Sequence, residues 1–131
     1  MRILLVEDSA PIRMRLLELL NIPGEMHVAA TVETERDAHE QIDTHDFDVL
    51  VVDVQLRQGS GISTVRNARA RWIAVAPSLI IVLTNHALPT VRQHCIAAGA
   101  DHFLDKSRQF HQLVPLIMDW RGGTEGRHHS N

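Results

Sequence analysis

The stretch Asp48-Val49-Leu50-Val51-Val52-Asp53 is apolar from Val49 to Val52 and closes on a carboxylate. β-Branched residues on both faces mark a strand buried on both sides, as in a parallel sheet covered by helices. In an open sheet of that kind the ligand crevice lies outside the carboxyl ends of the strands. Asp53 therefore stands at the rim of whatever site the fold builds.

The same pattern recurs on either side. Arg2-Ile3-Leu4-Leu5-Val6 is a short strand that ends in Glu7 and Asp8. Ser9 is placed to cap the helix that follows, Pro11 sits in its first turn, and Ile12, Leu16, Leu19 and Leu20 recur at helical spacing until Asn21-Ile22-Pro23-Gly24 stops it. Met26 to Thr31 predicts a second strand. Thr34 with Asp37 three residues on has the form of a capping box, opening a polar helix to about His45 with Ala38 and Ile42 as its thin buried face.

Beyond Asp53, residues 55–61 form a loop, and Ile62, Val65, Ala68 or Arg69, and Trp72 continue as a third helix, closed by Pro77. Leu79-Ile80-Ile81-Val82-Leu83 is a fully apolar strand ending in Thr84. Pro89 opens a fourth helix, and Gly99 terminates it from the position just past a helix end. His102-Phe103-Leu104 is a fifth strand leading to Asp105 and Lys106. Leu113, Leu116, Ile117 and Trp120 fall at i, i+3, i+4 and i+7 of a last helix. Proline has no N–H to give a helix interior, so Pro115 belongs in the first turn, and the start is expected at about His111 or Gln112. Five strands alternating with five helices predict an α/β fold, a doubly wound parallel sheet in three layers.

Composition narrows the classes of function. A chain of 131 residues, 44% apolar, suffices for one packed core. No apolar run approaches a membrane span, and Met1-Arg2 runs into strand-like sequence without a signal-peptide pattern, so a cytoplasmic protein is expected. A net charge of -3 argues against a broad nucleic-acid surface. The single cysteine, Cys95, has no partner for an internal disulfide and faces either the core or a helix edge; no neighbour suggests an activated thiolate.

Four strands end in chemically useful residues: Glu7 and Asp8, Asp53, Thr84, and Lys106. If those strands are neighbours, three carboxylates meet at one edge and repel unless a cation joins them. Oxygen donors of this kind suit Mg²⁺, which takes one or two carboxylates and keeps several waters. The lysine ammonium and the threonine hydroxyl suit phosphate oxygens. An aspartate beside such a cation, a lysine and a threonine is the equipment of a phosphoryl acceptor.

This ordered set resembles the receiver domain of two-component response regulators. The matching residues are the Glu7-Asp8 pair, Asp53, Gly61 eight residues beyond it, Thr84, and Phe103 with Lys106 in a Phe-x-x-Lys ending. The resemblance spans residues 1–120 and leaves 121–131 as a flexible tail. It implies a flavodoxin-like strand order 2-1-3-4-5. It also implies that Asp53 accepts a phosphoryl group from a histidine kinase or a histidine phosphotransfer protein, with Mg²⁺ held by Glu7, Asp8, Asp53 and the backbone carbonyl of Gln55. Lys106 would pair with the phosphate and Thr84 would move toward it. Phe103 would then turn inward, altering the surface of the fourth helix, fifth strand and fifth helix. That surface would bind a downstream protein or a second copy of the chain. Three positions depart from the common pattern: Arg57 and Ser107 stand where proline is usual, and Asn85 is larger than usual and placed to crowd or hydrogen-bond the phosphate. Without proline at 107 a cis bond there is not expected.

Plainer readings stand beside these. Asp8 and Asp53 taken singly are ordinary strand-end or capping residues, Phe103 is ordinary core, and Glu7 is placed to reach a metal through water. Gly59-Ser60-Gly61 is turn chemistry and not a dinucleotide loop, because it follows the wrong strand. Among nine histidines, His86, His94 and His102 fall near the site or on the fourth helix, yet no pair has a zinc spacing; they read as surface residues. His128-His129 carries no further meaning, and Trp120 reads as a helical anchor. Eleven residues follow Trp120, too few for an output domain, so a stand-alone receiver acting by protein contact or onward phosphotransfer is expected. The alternatives are a phosphorylation-independent adaptor of the same fold and a small Mg²⁺-dependent phosphohydrolase. The second is disfavoured by Gln55, which takes the second acidic place of an Asp-x-Asp motif.

Overall fold

The computed structural model describes residues 1–72, 78–85 and 87–130, with side chains through Gly122. Pro77 and His86 lie outside the described residues. Five parallel strands, β1 (Arg2–Val6), β2 (His27–Val32), β3 (Val49–Val52), β4 (Leu79–Thr84) and β5 (His102–Asp105), form one sheet in the order β2-β1-β3-β4-β5. Five helices join or follow them: α1 (Ala10–Leu20), α2 (Glu35–Thr44), α3 (Gly61–Trp72), α4 (Pro89–Ala98) and α5 (Leu113–Ser130). The doubly wound, three-layer sheet of order 2-1-3-4-5 is the architecture expected from the sequence.

The two-residue period of the strands sorts the core into two halves. Leu4, Val6, Leu50, Val52, Ile80 and Val82 face α2, α3 and α4, where they meet Ala38, Ile42, Val65, Ala68, Trp72 and Cys95. Ile3, Leu5, Val49, Val51, Ile81 and Leu83 face α1 and α5 and meet Leu16, Leu20, Leu113 and Ile117. The strands β1, β3 and β4 are buried almost throughout, whereas β2 and β5 are half-buried edges. At the edges the expected boundaries move by a residue: β2 starts at His27, with Met26 in an isolated bridge to Ile22, and β5 extends to Asp105.

Helix ends follow local chemistry. The Thr34 hydroxyl accepts the Asp37 N–H at 3.2 Å and caps α2 as expected. Ser9 is the N-cap residue of α1, but its side chain makes no capping bond. Its N–H donates instead to Glu7 Oε2 at 3.1 Å, so the expected Ser9 side-chain cap is replaced by a turn around the acidic pair. Gly99 ends α4 at φ +120°, a conformation that favours glycine. The last helix begins later than expected. A 3₁₀ turn over Phe110–Gln112 precedes α5, which places Pro115 in the first turn of an α-helix starting at Leu113. Leu113 and Ile117 are fully buried, and Leu116 and Trp120 pack partly against the same core. The backbone of α5 runs to Ser130, while the side chains of 123–130, His128 and His129 among them, lie outside the described set together with Asn131.

Candidate functional site

The chain reverses direction across the sheet between β1 and β3, the place where open α/β sheets bind ligands. Glu7 and Asp8 leave the end of β1, and Asp53 leaves the end of β3, one strand away. The Asp53 N–H donates to Val6 O at 3.0 Å, which carries the ladder one step past the strands and locks the two carboxylate-bearing ends together. Thr84 ends β4 beside them and is fully buried. The Lys106 N–H donates to Thr84 O at 3.0 Å, fixing the start of the lysine stem.

Lys106 crosses the carboxyl edge of the sheet to the acidic residues. Its ammonium donates to Asp53 Oδ2 at 2.7 Å and stands 2.6 Å from Glu7 Oε1. The three side chains are nearly buried, at 5%, 9% and 2% exposure for Lys106, Asp53 and Glu7, so these are charge-assisted bonds with little solvent competition. Burial alone would pull the Lys106 ammonium down, but its hydrogen bonds to Asp53 and Glu7 outweigh this and hold it above the ordinary lysine value. Burial lifts the Glu7 carboxyl above the usual range, and the bonds from Lys106 and the Ser9 N–H offset only part of that rise. The lysine is thus the fixed positive charge of the site.

Glu7, Asp8 and Asp53 each bring a carboxylate oxygen within 4.8 Å of the others. An all-oxygen set of this charge fits a hard divalent cation such as Mg²⁺, since ammonium and dication together offset the crowded negative charge. The residues line a cleft of about 290 Å³, with Ser9, Ile12, Gln55, Leu56, Asn85 and Lys106 as further walls. Asp8 is half-buried, and Gln55 and Asn85 are exposed at the mouth. The Gln55 N–H donates to Asp53 Oδ1 at 3.2 Å, so both oxygens of Asp53 are oriented by hydrogen bonds.

The structure therefore brings together Glu7, Asp8, Asp53, Gln55, Asn85 and Lys106 around one cleft, with Thr84 behind it. Phe103 lies half-buried on β5, packed against the core half that faces α2 to α4. Gly61 has a steric role: a Cβ there would overlap the main-chain carbonyl oxygen of Asp53, and the Gly61 N–H donates to Val54 O at 2.9 Å. Arg57 is exposed on the following loop. Ser107 bonds locally, its hydroxyl and N–H both donating to Asp105 Oδ1 at 2.6 and 2.8 Å, and this holds the Asp105 carboxyl below its ordinary range. Among the described residues no peptide bond is cis. His94 is exposed and His102 half-buried, and neither belongs to the acidic cluster.

Sequence reasoning missed two supports. Arg13 donates to the main-chain oxygen of Glu7 at 2.9 Å while pairing with Glu33 at 2.8 Å, and so anchors the acidic pair from α1. Glu35 binds the loop after Asp53 from α2, with Ser60 N–H at 2.7 Å. Both act through tertiary contacts that leave no periodic trace in the sequence.

Known proteins share this arrangement. Residues 3–118 match the family model described as the response regulator receiver domain. A protein-glutamate methylesterase/protein-glutamine glutaminase of Pseudomonas aeruginosa is 31% identical over 106 residues, which cover 81% of this chain and 28% of that protein. The receiver domain of a sensor histidine kinase from Pseudomonas aeruginosa, solved with a magnesium ion coordinated in its active-site cleft, is 28% identical with a TM-score of 0.73, covering 92% of this chain and 97% of that one. A LuxR-family two-component response regulator from Aurantimonas sp. is 25% identical with a TM-score of 0.81, over 93% and 85% of the two chains. The chain spans about half or less of the length of the curated relatives it matches. Among the described residues no helix is long and apolar enough to cross a membrane. A match over nearly the whole sheet, with the acidic cluster at its switch point, means that this chain belongs to the response regulator receiver domain family of two-component signal transduction.

Proposed function

We propose that Asp53 is the phosphoacceptor of this receiver, that the protein acts in the cytoplasm, and that a sensor histidine kinase or histidine phosphotransfer protein is the donor. The observation that carries this reading is the buried double contact of Lys106 with Asp53 and Glu7 in an acidic cleft. A carboxylate oxygen of Asp53 forms the new P–O bond as the P–N bond to the donor imidazole breaks. The protein's share of such a transfer is positioning and charge neutralisation. Glu7, Asp8, Asp53 and the Gln55 backbone carbonyl are the residues to hold Mg²⁺. When bound, the ion supplies positive charge to the equatorial phosphoryl oxygens.

Lys106 then exchanges its carboxylate partners for a phosphoryl oxygen. Asn85 offers an amide at the cleft mouth, and Thr84 brings a buried hydroxyl to the end of β4. Val82 and Phe103 are register partners on β4 and β5, so a shift at Thr84 reaches Phe103 through two residues of one ladder. Its output surface is the face of α4, β5 and α5. Leu88 at the N-cap of α4, Ile96 within it and Met118 on α5 are exposed apolar side chains suited to a protein partner, to a second copy, or to onward phosphotransfer contacts.

The test is intact-protein mass after incubation with acetyl phosphate, with and without Mg²⁺, on wild type and Asp53→Ala. The expected result is a Mg²⁺-dependent gain of one phosphoryl group in wild type and none in the variant. A folded wild type that gains nothing from acetyl phosphate or from a panel of phosphorylated histidine kinases would sink the reading and leave a phosphorylation-independent adaptor.

A further inference from the structure

The loop that leaves Asp53 is held from outside the sheet by one residue of α2. Glu35 donates its N–H to Gln58 O at 3.0 Å. Its Oε1 accepts the Ser60 N–H at 2.7 Å, and its Oε2 accepts the Ser63 hydroxyl at 3.2 Å. Gly59 lies against the same side chain, so closely that a Cβ there would overlap Glu35 Cβ, and its φ of +88° is one that glycine favours. Glu35 thus holds the loop between β3 and α3 at Gln58 through its main chain and at Ser60 through its side chain, and the same carboxylate reaches Ser63 in the first turn of α3.

From Ser60 the restraint passes straight to the cleft. Ser60 and Gln55 face each other across an isolated antiparallel bridge. Gln55 lines the cleft and donates its N–H to Asp53 Oδ1. At 2.7 Å the Glu35–Ser60 bond is a well-formed hydrogen bond that ties this loop to α2 from outside the sheet. Groups that orient a metal ligand without touching the metal set affinity through geometry.

We infer that Glu35 is a positioning residue for the cation site: by fixing Ser60 it fixes Gln55 opposite, and with it the backbone carbonyl offered to Mg²⁺. This rests on the cation site proposed above. Glu35 touches neither the cation nor the phosphoryl group. What the site needs from it is reach, not charge.

Two conservative variants separate those properties. Glu35→Gln keeps the reach and an acceptor oxygen but loses the charge. Glu35→Asp keeps the charge but is one methylene too short to hold Ser60. Mg²⁺ affinity is measured by titration calorimetry on the full chain, with thermal midpoints taken in chelator as a control for folding. Glu35→Asp is expected to weaken Mg²⁺ binding roughly tenfold, while Glu35→Gln stays near wild type. Unchanged affinity in both, a lower thermal midpoint with unchanged affinity, or a loss in Glu35→Gln as large as in Glu35→Asp would each overturn the inference. So would a wild type that binds no Mg²⁺. A wild type that binds Mg²⁺ with this ranking of variants but takes no phosphoryl group leaves Glu35 in its role and defeats the phosphoacceptor reading alone.

Discussion

The Lys106 ammonium and the Asp53 carboxylate form a 2.7 Å ion pair in which both side chains are more than nine-tenths buried, and Glu7 closes the other side of the same ammonium. Removing the lysine leaves three carboxylates facing one another with nothing between them. Lys106→Met is therefore expected to lose about 3 kcal/mol in urea unfolding with chelator present, and to recover part of it when Mg²⁺ is added.

The pH dependence of that loss follows from the direction of each shift. Lys106 is raised above 10.5, so its stabilisation is complete below that value and is lost as pH rises through the higher folded value. Glu7 is raised above 4.5, so its contribution is largest below 4.5 and declines as pH rises through its folded value. The stability gap between wild type and Lys106→Met should hold steady through neutral pH and shrink above 10.5. On acidification the variant should gain more than wild type, because Glu7 then lacks the bond that offsets its burial. A gap that is flat from acid to alkali would contradict the geometry.

Gly61 and Gly24 predict different consequences for the same substitution. At Gly61 a methyl group meets the main-chain oxygen of Asp53, so Gly61→Ala must move the backbone that carries Asp53. A cost of about 2 kcal/mol is expected, with weaker Mg²⁺ binding. Gly24 has φ +79° and open space around it. Gly24→Ala should cost only the left-handed backbone penalty, about 1 kcal/mol, and leave Mg²⁺ binding unchanged. Urea unfolding and Mg²⁺ titration of the two variants check both halves.

Thr34 and Ser9 look alike in sequence, each a hydroxyl residue ahead of a helix, and the structure separates them. Thr34 caps the Asp37 N–H, so Thr34→Ala should destabilise by about 1 kcal/mol. The Ser9 side chain makes no cap bond, and Ser9→Ala should cost well under half of that. Equal losses in paired thermal melts would mean that the Ser9 hydroxyl acts in solution in a way the structure does not contain.

That contrast marks how far the sequence could be read. The strands β1, β3 and β4 were legible because an apolar run needs no partner to declare itself, and the residue at the end of each then fell at the site by the geometry of parallel sheets. Hence Glu7, Asp8, Asp53 and Thr84 could be placed before any coordinates. The half-buried edges β2 and β5 carry a weaker pattern, and their ends moved by a residue. The start of α5 moved too, since a 3₁₀ turn and an α-turn share the same sequence signals around Pro115. The sequence points Lys106 at phosphate; its pairing with Glu7 depends on two strand ends with two other strands, β3 and β4, between them in the sheet. Arg13 and Glu35 escaped altogether, because Arg13 is held between Glu7 O and the more distant Glu33, Glu35 reaches Ser60 of a remote loop, and neither pairing leaves a pattern in the sequence.

Cys95 offers a probe of opening on the α4 side of the sheet. The sequence left its side chain either in the core or at a helix edge, and it is fully buried among Val82, Ala98 and their neighbours. Burial pushes its thiol from 9.0 up to about 11, so almost no thiolate exists near neutral pH. The shift also favours folding below 9.0 and withdraws that support as pH rises toward 11. A disulfide reagent should therefore leave the native protein unmodified at pH 8 and react completely in urea. With reclosing faster than attack, the native rate should follow the equilibrium of opening, so that Lys106→Met without Mg²⁺ reacts faster than wild type by the factor its lost stability implies. A rapid reaction in the native state that is indifferent to this variant would place the sulfur at the surface.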